Sequence, residues 1–384
     1  MHLSEILYHL GEERENYFNA VSTPVIQSSN FAFNDLNTFR GMLKNELSGH
    51  LYTRGNNPTV QILRKKVAAL ESAEDALVFA SGSAAIAAAV IAQVNAGDHI
   101  VCVNAPYSWT IVLLRRFLPR FGVTVTFVDG KDAANFEKAI KPNTKVVYLE
   151  SPNSLTFELQ DLAACAEICK RHGVVSIIDN SHCSPIFQRP IESGIDIVVH
   201  SATKYLNGHS DVVAGVVCST RPMIQKIFDT EQMCLGAIIS PHDANLIIRG
   251  LRTLPLRMKK SDESAKKIVD YLKKQPKVKK IYYPFLEGTP QYDLAKKQMT
   301  GNGGLFSIET TAETLEEAEA FFYRLKRFLF AVSWGGHESL VFPTCSLYGI
   351  EGKANPPLPF NFYRFYIGLE EPEWLIEDLK QAFG

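Results

Sequence analysis

Short apolar runs rich in β-branched residues alternate with amphipathic stretches through the middle of the chain. Seven such runs follow one another, from "ALVFAS" at Ala76 to "DVVAGVVC" at Asp211. Helical patterns separate most of them, such as "DLAACAEICKRHG" from Asp161, which ends in basic residues and Gly173. Strands that alternate with helices predict a mostly parallel sheet covered on both faces. We therefore predict an α/β domain over residues 61–245.

The two flanking regions have different patterns. Residues 1–60 show weak periodicity and many turn-forming stretches, "SSN", "SGH" and "RGNNPT" among them, which indicates an extended N-terminal arm. From residue 246 onward the chain is rich in lysine and contains the amphipathic stretch "RMKKSDESAKKIVDYLKK". This pattern predicts a smaller C-terminal α+β domain over residues 246–384.

Composition excludes several classes of protein. The 384 residues are 46% hydrophobic and carry a formal net charge of -1, so neither a nucleic-acid footprint nor a membrane-surface patch is indicated. No apolar run approaches the roughly 18 residues of a membrane span, and the N-terminus lacks the order of a signal peptide. The seven cysteines contain no C-x-x-C pair, which favours buried thiols over a metal site. We expect a cytoplasmic protein with a small-molecule partner.

Ligands of open α/β sheets bind beyond the carboxyl ends of the strands. There, "ALVFA" is followed by Ser81, Gly82, Ser83 and an alanine-rich helix, whose first N–H groups suit a phosphate. Close packing of strand and helix is the alternative explanation. The other strands deliver to the same rim an aromatic residue, two carboxylates and a hydroxyl-rich turn with a lysine: Tyr107, Glu150, Asp179, Ser201, Thr203 and Lys204.

The lysine and the aspartate indicate the chemistry. Lys204 emerges from the buried strand "IDIVVH", and desolvation would lower its pKa toward the neutral amine that attacks carbonyl carbons. Taken alone, such a lysine more often just reaches solvent. Together with an anion cradle, an aromatic ring and Asp179, it completes the set that pyridoxal phosphate (PLP) requires. An ion pair with an arginine is the alternative role of Asp179.

Each part of this set has a distinct task. Lys204 would hold the aldehyde and move protons, and Asp179 would keep the pyridine nitrogen protonated. Tyr107 would stack on the ring. The phosphate would be bound by the backbone and hydroxyls of four residues: Gly82, Ser83, Ser201 and Thr203.

Six segments resemble the Cys/Met-metabolism family of PLP-dependent enzymes. They are "YTRGNNPT" at 52, "IIDNSHCSP" at 177, "SATKYLNGHSDVVAG" at 201, "ISPHDANLIIRGLRTLPLRM" at 239, "SWGGHESL" at 333 and "RFYIGLE" at 364. The family includes cystathionine β-lyase, cystathionine γ-lyase, cystathionine γ-synthase and methionine γ-lyase. The resemblance implies the type I fold of PLP-dependent transferases.

The resemblance also implies roles for individual residues. Lys204 would carry the cofactor, and Arg364 would hold the substrate α-carboxylate with its guanidinium fork. Tyr52 and Arg54 would reach the phosphate of the neighbouring subunit, which implies a homo-oligomer, usually a dimer of active-site-sharing dimers. Ser333 and Trp334 would lie beside the carboxylate and the cofactor. Lys204, Tyr107 and Tyr52 are the expected catalytic residues.

Subfamily features of the resemblance conflict. Ser154 in "ESPNSLTFEL" and the tryptophan of "SWGG" resemble the bacterial β-lyase branch. Val332 matches methionine γ-lyases, yet Trp109 replaces the small residue or cysteine expected of them. We expect a PLP-dependent carbon–sulfur lyase acting on cystathionine, with β-elimination slightly ahead of γ-elimination. The alternatives are a γ-replacing synthase, a methionine γ-lyase and a non-catalytic PLP-binding protein, which should have lost Lys204 or Arg364.

Overall fold

The computed structural model describes residues 1–351 and 356–384. A seven-stranded sheet in the order β1-β7-β6-β5-β4-β2-β3 forms the larger part of the molecule. Strands β2 to β6 all run parallel to one another, whereas β7 is antiparallel to both of its neighbours, β1 and β6. Its strands are β1 Asp75–Phe79, β2 His99–Val103, β3 Thr124–Val128, β4 Thr144–Glu150, β5 Val175–Asp179, β6 Ile197–Ser201 and β7 Gly215–Ser219. The predicted mostly parallel sheet is confirmed.

Helices cover both faces of this sheet because its strands are apolar on both sides. Successive residues of β4, such as Val146 and Val147, point to opposite faces of the sheet and belong to two separate core clusters. The predicted helix after Asp161 forms and ends at Gly173, whose φ of 64° lies in the left-handed region. The helices are α1 Leu3–Tyr8, α2 Leu36–Lys44, α3 Pro58–Leu70, α4 Gly82–Ile91, α5 Ser108–Val112, α6 Ala134–Ala139, α7 Leu162–His172, α8 Ser184–Phe187, α9 Arg221–Ile227, α10 Met233–Leu235 and α11 Pro241–Leu251.

A second, five-stranded sheet lies in the C-terminal part, in the order β10-β11-β12-β9-β8. Its core is rich in aromatic rings, and Phe306 stacks on Phe365 with centroids 5.4 Å apart. Its strands are β8 Val278–Tyr282, β9 Leu305–Thr310, β10 Leu329–Phe330, β11 Leu340–Pro343 and β12 Phe362–Tyr366, and its helices are α12 Leu254–Leu272, α13 Tyr292–Gln298, α14 Leu315–Arg324 and α15 Pro372–Phe383. Over the described ranges, no helix has both the length and the apolar character that spanning a membrane would take.

The predicted domain boundary between residues 245 and 246 falls inside α11. Ile247, Ile248 and Leu251 of this helix belong to the core cluster of the first sheet, so α11 packs as part of the larger unit. The exact division of the chain into domains stays a prediction.

The first twelve residues differ from the predicted extended arm. Ile6 and Leu7 of α1 are buried in the main core, and Lys66 of α3 donates hydrogen bonds to both of their carbonyl oxygens. Lys66 also pairs with Glu12 at 3.1 Å, and both side chains are fully buried. This segment is therefore anchored to its own chain. Helix α2, by contrast, has no buried residue.

Candidate active site

The start of α4 forms the predicted anion cradle. Ser81 caps the helix by accepting a hydrogen bond from the backbone N–H of Ala84 at 3.1 Å. Because an α-helix leaves the N–H groups of its first turn without internal acceptors, those of Gly82 and Ser83 remain for an anion. A Cβ on Gly82 would lie 2.9 Å from the Cβ of Ser201, so only glycine allows this close approach. The fold thus brings Gly82, Ser83 and Ser201 together.

Thr203 has a structural task that the sequence did not reveal. Its hydroxyl donates to the carbonyl oxygen of Ala214 at 3.3 Å and accepts from the Ala214 N–H at 3.0 Å. These two bonds close the loop between Lys204 and β7. The predicted contact of Thr203 with a phosphate stays a prediction.

Asp179 ends β5 and is buried. Its Oδ1 accepts hydrogen bonds from the Ser181 N–H at 2.9 Å and from the Ser181 hydroxyl at 2.5 Å. Burial raises the pKa of Asp179, while the Ser181 bonds and the charges of His200 and Lys204 oppose that rise. No arginine of the described residues pairs with this carboxylate, so the alternative role predicted for it is not observed.

Ser181 links two parts of the site and was not identified from the sequence. Besides binding Asp179, its hydroxyl oxygen accepts the N–H of Ser201 at 2.6 Å. The only sequence signal was its position two residues after a strand-end aspartate, in "IIDNSHCSP".

Lys204 is half-buried, and its Nζ donates a 2.6 Å hydrogen bond to the Ser333 hydroxyl. The amine also lies 5.7 Å from the ring centroid of Trp334. Burial, and after it the charge of Arg364, lower the pKa of Lys204 to about 8, while the charge of Asp179 opposes both effects. A sizeable fraction of this amine is therefore neutral and nucleophilic near neutral pH.

Arg364 lies on β12 and reaches the same place from the second sheet. Its Nη2 donates to the Ser333 carbonyl oxygen at 3.2 Å. Burial lowers the pKa of Arg364 to about 10, so the guanidinium stays charged at neutral pH. Ser333 has a φ of 78°, in the region that non-glycine residues rarely adopt. Such strain is typical of functional positions. Trp334 packs on Tyr205, with ring centroids 5.4 Å apart.

Glu150, to which the sequence assigned no role, holds Tyr107 and Ser154 in place. The Tyr107 N–H donates to Glu150 Oε2 at 2.7 Å, and the Ser154 hydroxyl donates to Glu150 Oε1 at 2.6 Å. Tyr107 is 38% exposed, so part of this residue is accessible.

Tyr52, Arg54, Trp109 and Val332 are also exposed in the single chain. Arg54 lies over the Tyr52 ring, 5.2 Å from its centroid. In the described part of the chain, neither side chain has a hydrogen bond to Lys204, Asp179 or Ser201. Their role across a subunit boundary stays a prediction.

The arrangement fits PLP. Gly82 and Ser83 offer free N–H groups beside the Ser201 hydroxyl, where a phosphate would sit. Asp179 supplies a buried carboxylate for a pyridinium nitrogen, and Lys204 supplies an amine with a lowered pKa.

Comparisons with known proteins agree with this geometry. The family model described as "Cys/Met metabolism PLP-dependent enzyme" matches residues 4–384. An L-methionine γ-lyase of Treponema denticola is 40% identical over 375 residues, 96% of this chain and 93% of that protein. A cystathionine γ-lyase of Bacillus subtilis is 37% identical and covers 98% of both chains. The crystal structure of metB from Corynebacterium glutamicum matches with a TM-score of 0.92 and 34% identity, over 100% of this chain and 98% of that one.

Proposed function

The chain belongs to the Cys/Met-metabolism family of PLP-dependent enzymes, and we propose that it is a carbon–sulfur lyase acting on cystathionine and related sulfur amino acids. The observation that carries the proposal is the contact of Ser333 with both Lys204 and Arg364. It supports a site in which the base and the carboxylate-binding group stand on either side of one residue. The products would be a thiol, ammonia and a 2-oxo acid.

Bound PLP supplies an electron sink that stabilises negative charge at the substrate Cα. The chain's own residues bind the substrate, orient it and hold or move the protons. Arg364 binds the α-carboxylate through its guanidinium fork and so fixes the orientation of the Cα–H bond. Lys204 removes the Cα proton as a neutral amine, which its lowered pKa favours. Asp179 holds the proton of the ring nitrogen through its buried carboxylate.

The leaving group requires a proton donor. Tyr107 is the candidate, because part of this residue is accessible and its backbone is fixed by Glu150. Its hydroxyl would give a proton to the departing sulfur, at the β or the γ carbon. Trp334 beside Lys204 would exclude water from that side of the site.

The position of elimination is the finer part of the proposal. Ser154 supports β-elimination through its resemblance to the β-lyase branch. Elimination at the γ carbon is the second candidate, and the similarity to proteins named methionine γ-lyase and cystathionine γ-lyase favours it. Val332 is 71% exposed and offers no charge to the distal ammonium of cystathionine, which also leaves apolar substrates acceptable.

Identification of the oxo acid tests the proposal. Incubation of the PLP-loaded enzyme with cystathionine would give pyruvate by β-elimination and 2-oxobutanoate by γ-elimination. Lys204→Ala is the matched control and should form neither acid. If the wild-type enzyme forms no oxo acid from cystathionine, cystine or methionine, the proposed lyase activity is wrong.

A further inference from the structure

Glu150 and Asp179 form a pair of buried carboxyl groups at the rim of the sheet. Glu150 is the last residue of β4, Asp179 is the last residue of β5, and the two are partners in the parallel register. Register partners on neighbouring strands point to the same face of a sheet. Both residues are buried, with relative exposures of 4% and 8%. Two carboxyl groups therefore share one small, poorly solvated space.

Both oxygens of Glu150 are used to hold other parts of the site. Oε2 receives the N–H of Tyr107 at 2.7 Å, and Oε1 is 2.6 Å from the Ser154 hydroxyl. The Glu150 N–H donates in turn to Gln160 Oε1 at 3.1 Å. Glu150 thus joins the turn before α5, through Tyr107, to the loop after β4, through Ser154. Glu150 therefore contacts Tyr107, the candidate for stacking on the cofactor ring, and neighbours Asp179, the candidate partner of the ring nitrogen.

The surroundings distribute proton and charge unequally between the two carboxyl groups. Burial and the charge of Asp179 raise the pKa of Glu150 to about 8, although the hydrogen bonds from Ser154 and from the Tyr107 N–H oppose this rise. Asp179 receives two hydrogen bonds from Ser181, and the positive charge of Lys204 favours its ionised form. Two carboxyl groups that are register partners in one poorly solvated place do not readily ionise together, and the positive charge of Lys204 acts on Asp179, so Glu150 is the one expected to carry the proton near neutral pH.

We propose that Glu150 is a positioning residue that acts as a neutral carboxyl group: it fixes Tyr107 and Ser154 by hydrogen bonds and leaves the negative charge to Asp179. The inference rests on the proposed function, because that function gives Tyr107 and Asp179 their roles. A serine hydroxyl can rotate, so Ser154 can accept a hydrogen bond from a protonated Oε1. A neutral Glu150 can thus keep both of its contacts.

Glu150→Gln tests the inference because glutamine has the shape of the protonated acid. Its carbonyl oxygen can accept from the Tyr107 N–H, and its amide can donate to the Ser154 hydroxyl. We expect the cofactor absorbance band, the PLP affinity and kcat of this variant to stay within about threefold of wild type, whereas Glu150→Ala lowers kcat by roughly ten- to a hundredfold by releasing Tyr107. The variant Glu158→Gln, which removes one of the two acidic partners of Lys131 in the same segment as Glu150, is the matched control.

The outcomes separate cleanly. A glutamine variant that loses as much activity as the alanine variant, or whose cofactor band shifts, shows that Glu150 acts as a charge and overturns the inference. An alanine variant equal to wild type also overturns it. If Glu150→Ala fails to fold, the isosteric Glu150→Gln decides alone through its spectrum and its kcat. Failure of the proposed function would appear separately, as a wild-type enzyme that binds PLP but releases no oxo acid.

Discussion

Lys204 and Ser333 are 129 positions apart in the chain, and the lysine amine donates a 2.6 Å hydrogen bond to the serine hydroxyl. The same serine offers its carbonyl oxygen to Arg364. A single residue from the C-terminal region thereby contacts both the proposed base and the proposed carboxylate-binding group.

Ser333→Ala should lower kcat more than it raises KM. The variant loses the acceptor of the Lys204 amine but keeps the backbone carbonyl that holds Arg364. We expect kcat to fall by about tenfold, the order of one hydrogen bond to a charged group, and KM to change little. Ser333→Gly is the control, because it removes the hydroxyl and relieves the positive φ. Equal losses in both variants support the hydroxyl as the cause; a loss in the alanine variant alone would point to the backbone.

The attachment of PLP to the apoenzyme should accelerate as pH rises through about 8. Only the neutral Lys204 amine attacks the aldehyde, and burial together with Arg364 lowers its pKa to about 8. As the pH rises toward about 8 the neutral fraction of the amine increases, and well above this pH nearly all of the amine is neutral. The borohydride-trapped adduct, followed by mass spectrometry, measures the rate. Arg364→Gln should move the midpoint to higher pH, and a wild-type midpoint near that of an ordinary lysine would contradict the prediction.

Chains with complementary defects should restore activity together. Arg54→Ala and Lys204→Ala would each be inactive alone if every active site takes Lys204 from one chain and Arg54 from its partner. In a symmetric dimer, equal mixing yields hybrids with one intact site, so roughly a quarter of the wild-type activity should return. Exchange of subunits must be shown independently with a labelled chain. Exchange without recovery would speak against the shared site.

Val332→Glu should change the ranking of substrates by the charge of their tails. Valine contributes only apolar contact, which discriminates weakly, so wild-type kcat/KM for cystathionine, cystine, S-alkyl cysteines and methionine should agree within roughly a hundredfold. The position is 71% exposed, so solvent screens the new carboxylate and the expected shift is severalfold. Steady-state kinetics with the same substrates on both proteins measures it. An unchanged ranking would rule out contact of residue 332 with the substrate tail.

Glu12→Ala should destabilise the protein strongly. Among the ion pairs of the described residues, Glu12 is the only acidic partner of Lys66, Arg14 and Arg252. Its removal leaves the fully buried Lys66 without a counter-charge, which costs on the order of 3–5 kcal/mol. Glu13→Ala breaks only an exposed pair with Lys65 and should lower the melting temperature little. Thermal unfolding of both variants by circular dichroism provides the comparison; similar melting temperatures would disprove an anchored N-terminus.

The sequence by itself determined the strands of the first sheet and the residues at their ends. Hydrophobic runs such as "KVVYLE" are local signals, and β4 and β5 end at Glu150 and Asp179, as the pattern predicts. The position of Lys204 directly after a buried strand was also readable, because desolvation at a strand end follows from neighbours in the sequence. The match of residues 4–384 to one family confirms the fold that those motifs implied.

Only the tertiary structure decided which of these residues touch. The pairing of Glu150 with Asp179 depends on the register of two strands, and the bridge from Lys204 to Ser333 depends on how the second sheet packs against the first. The anchoring of the N-terminus depends on the burial of Ile6 and Leu7 and on Lys66, which binds their carbonyl oxygens and pairs with Glu12. Periodicity reports which face of an element is apolar, but contacts between distant segments are set by packing and by the pairing of buried charges, which leave no local pattern in the chain.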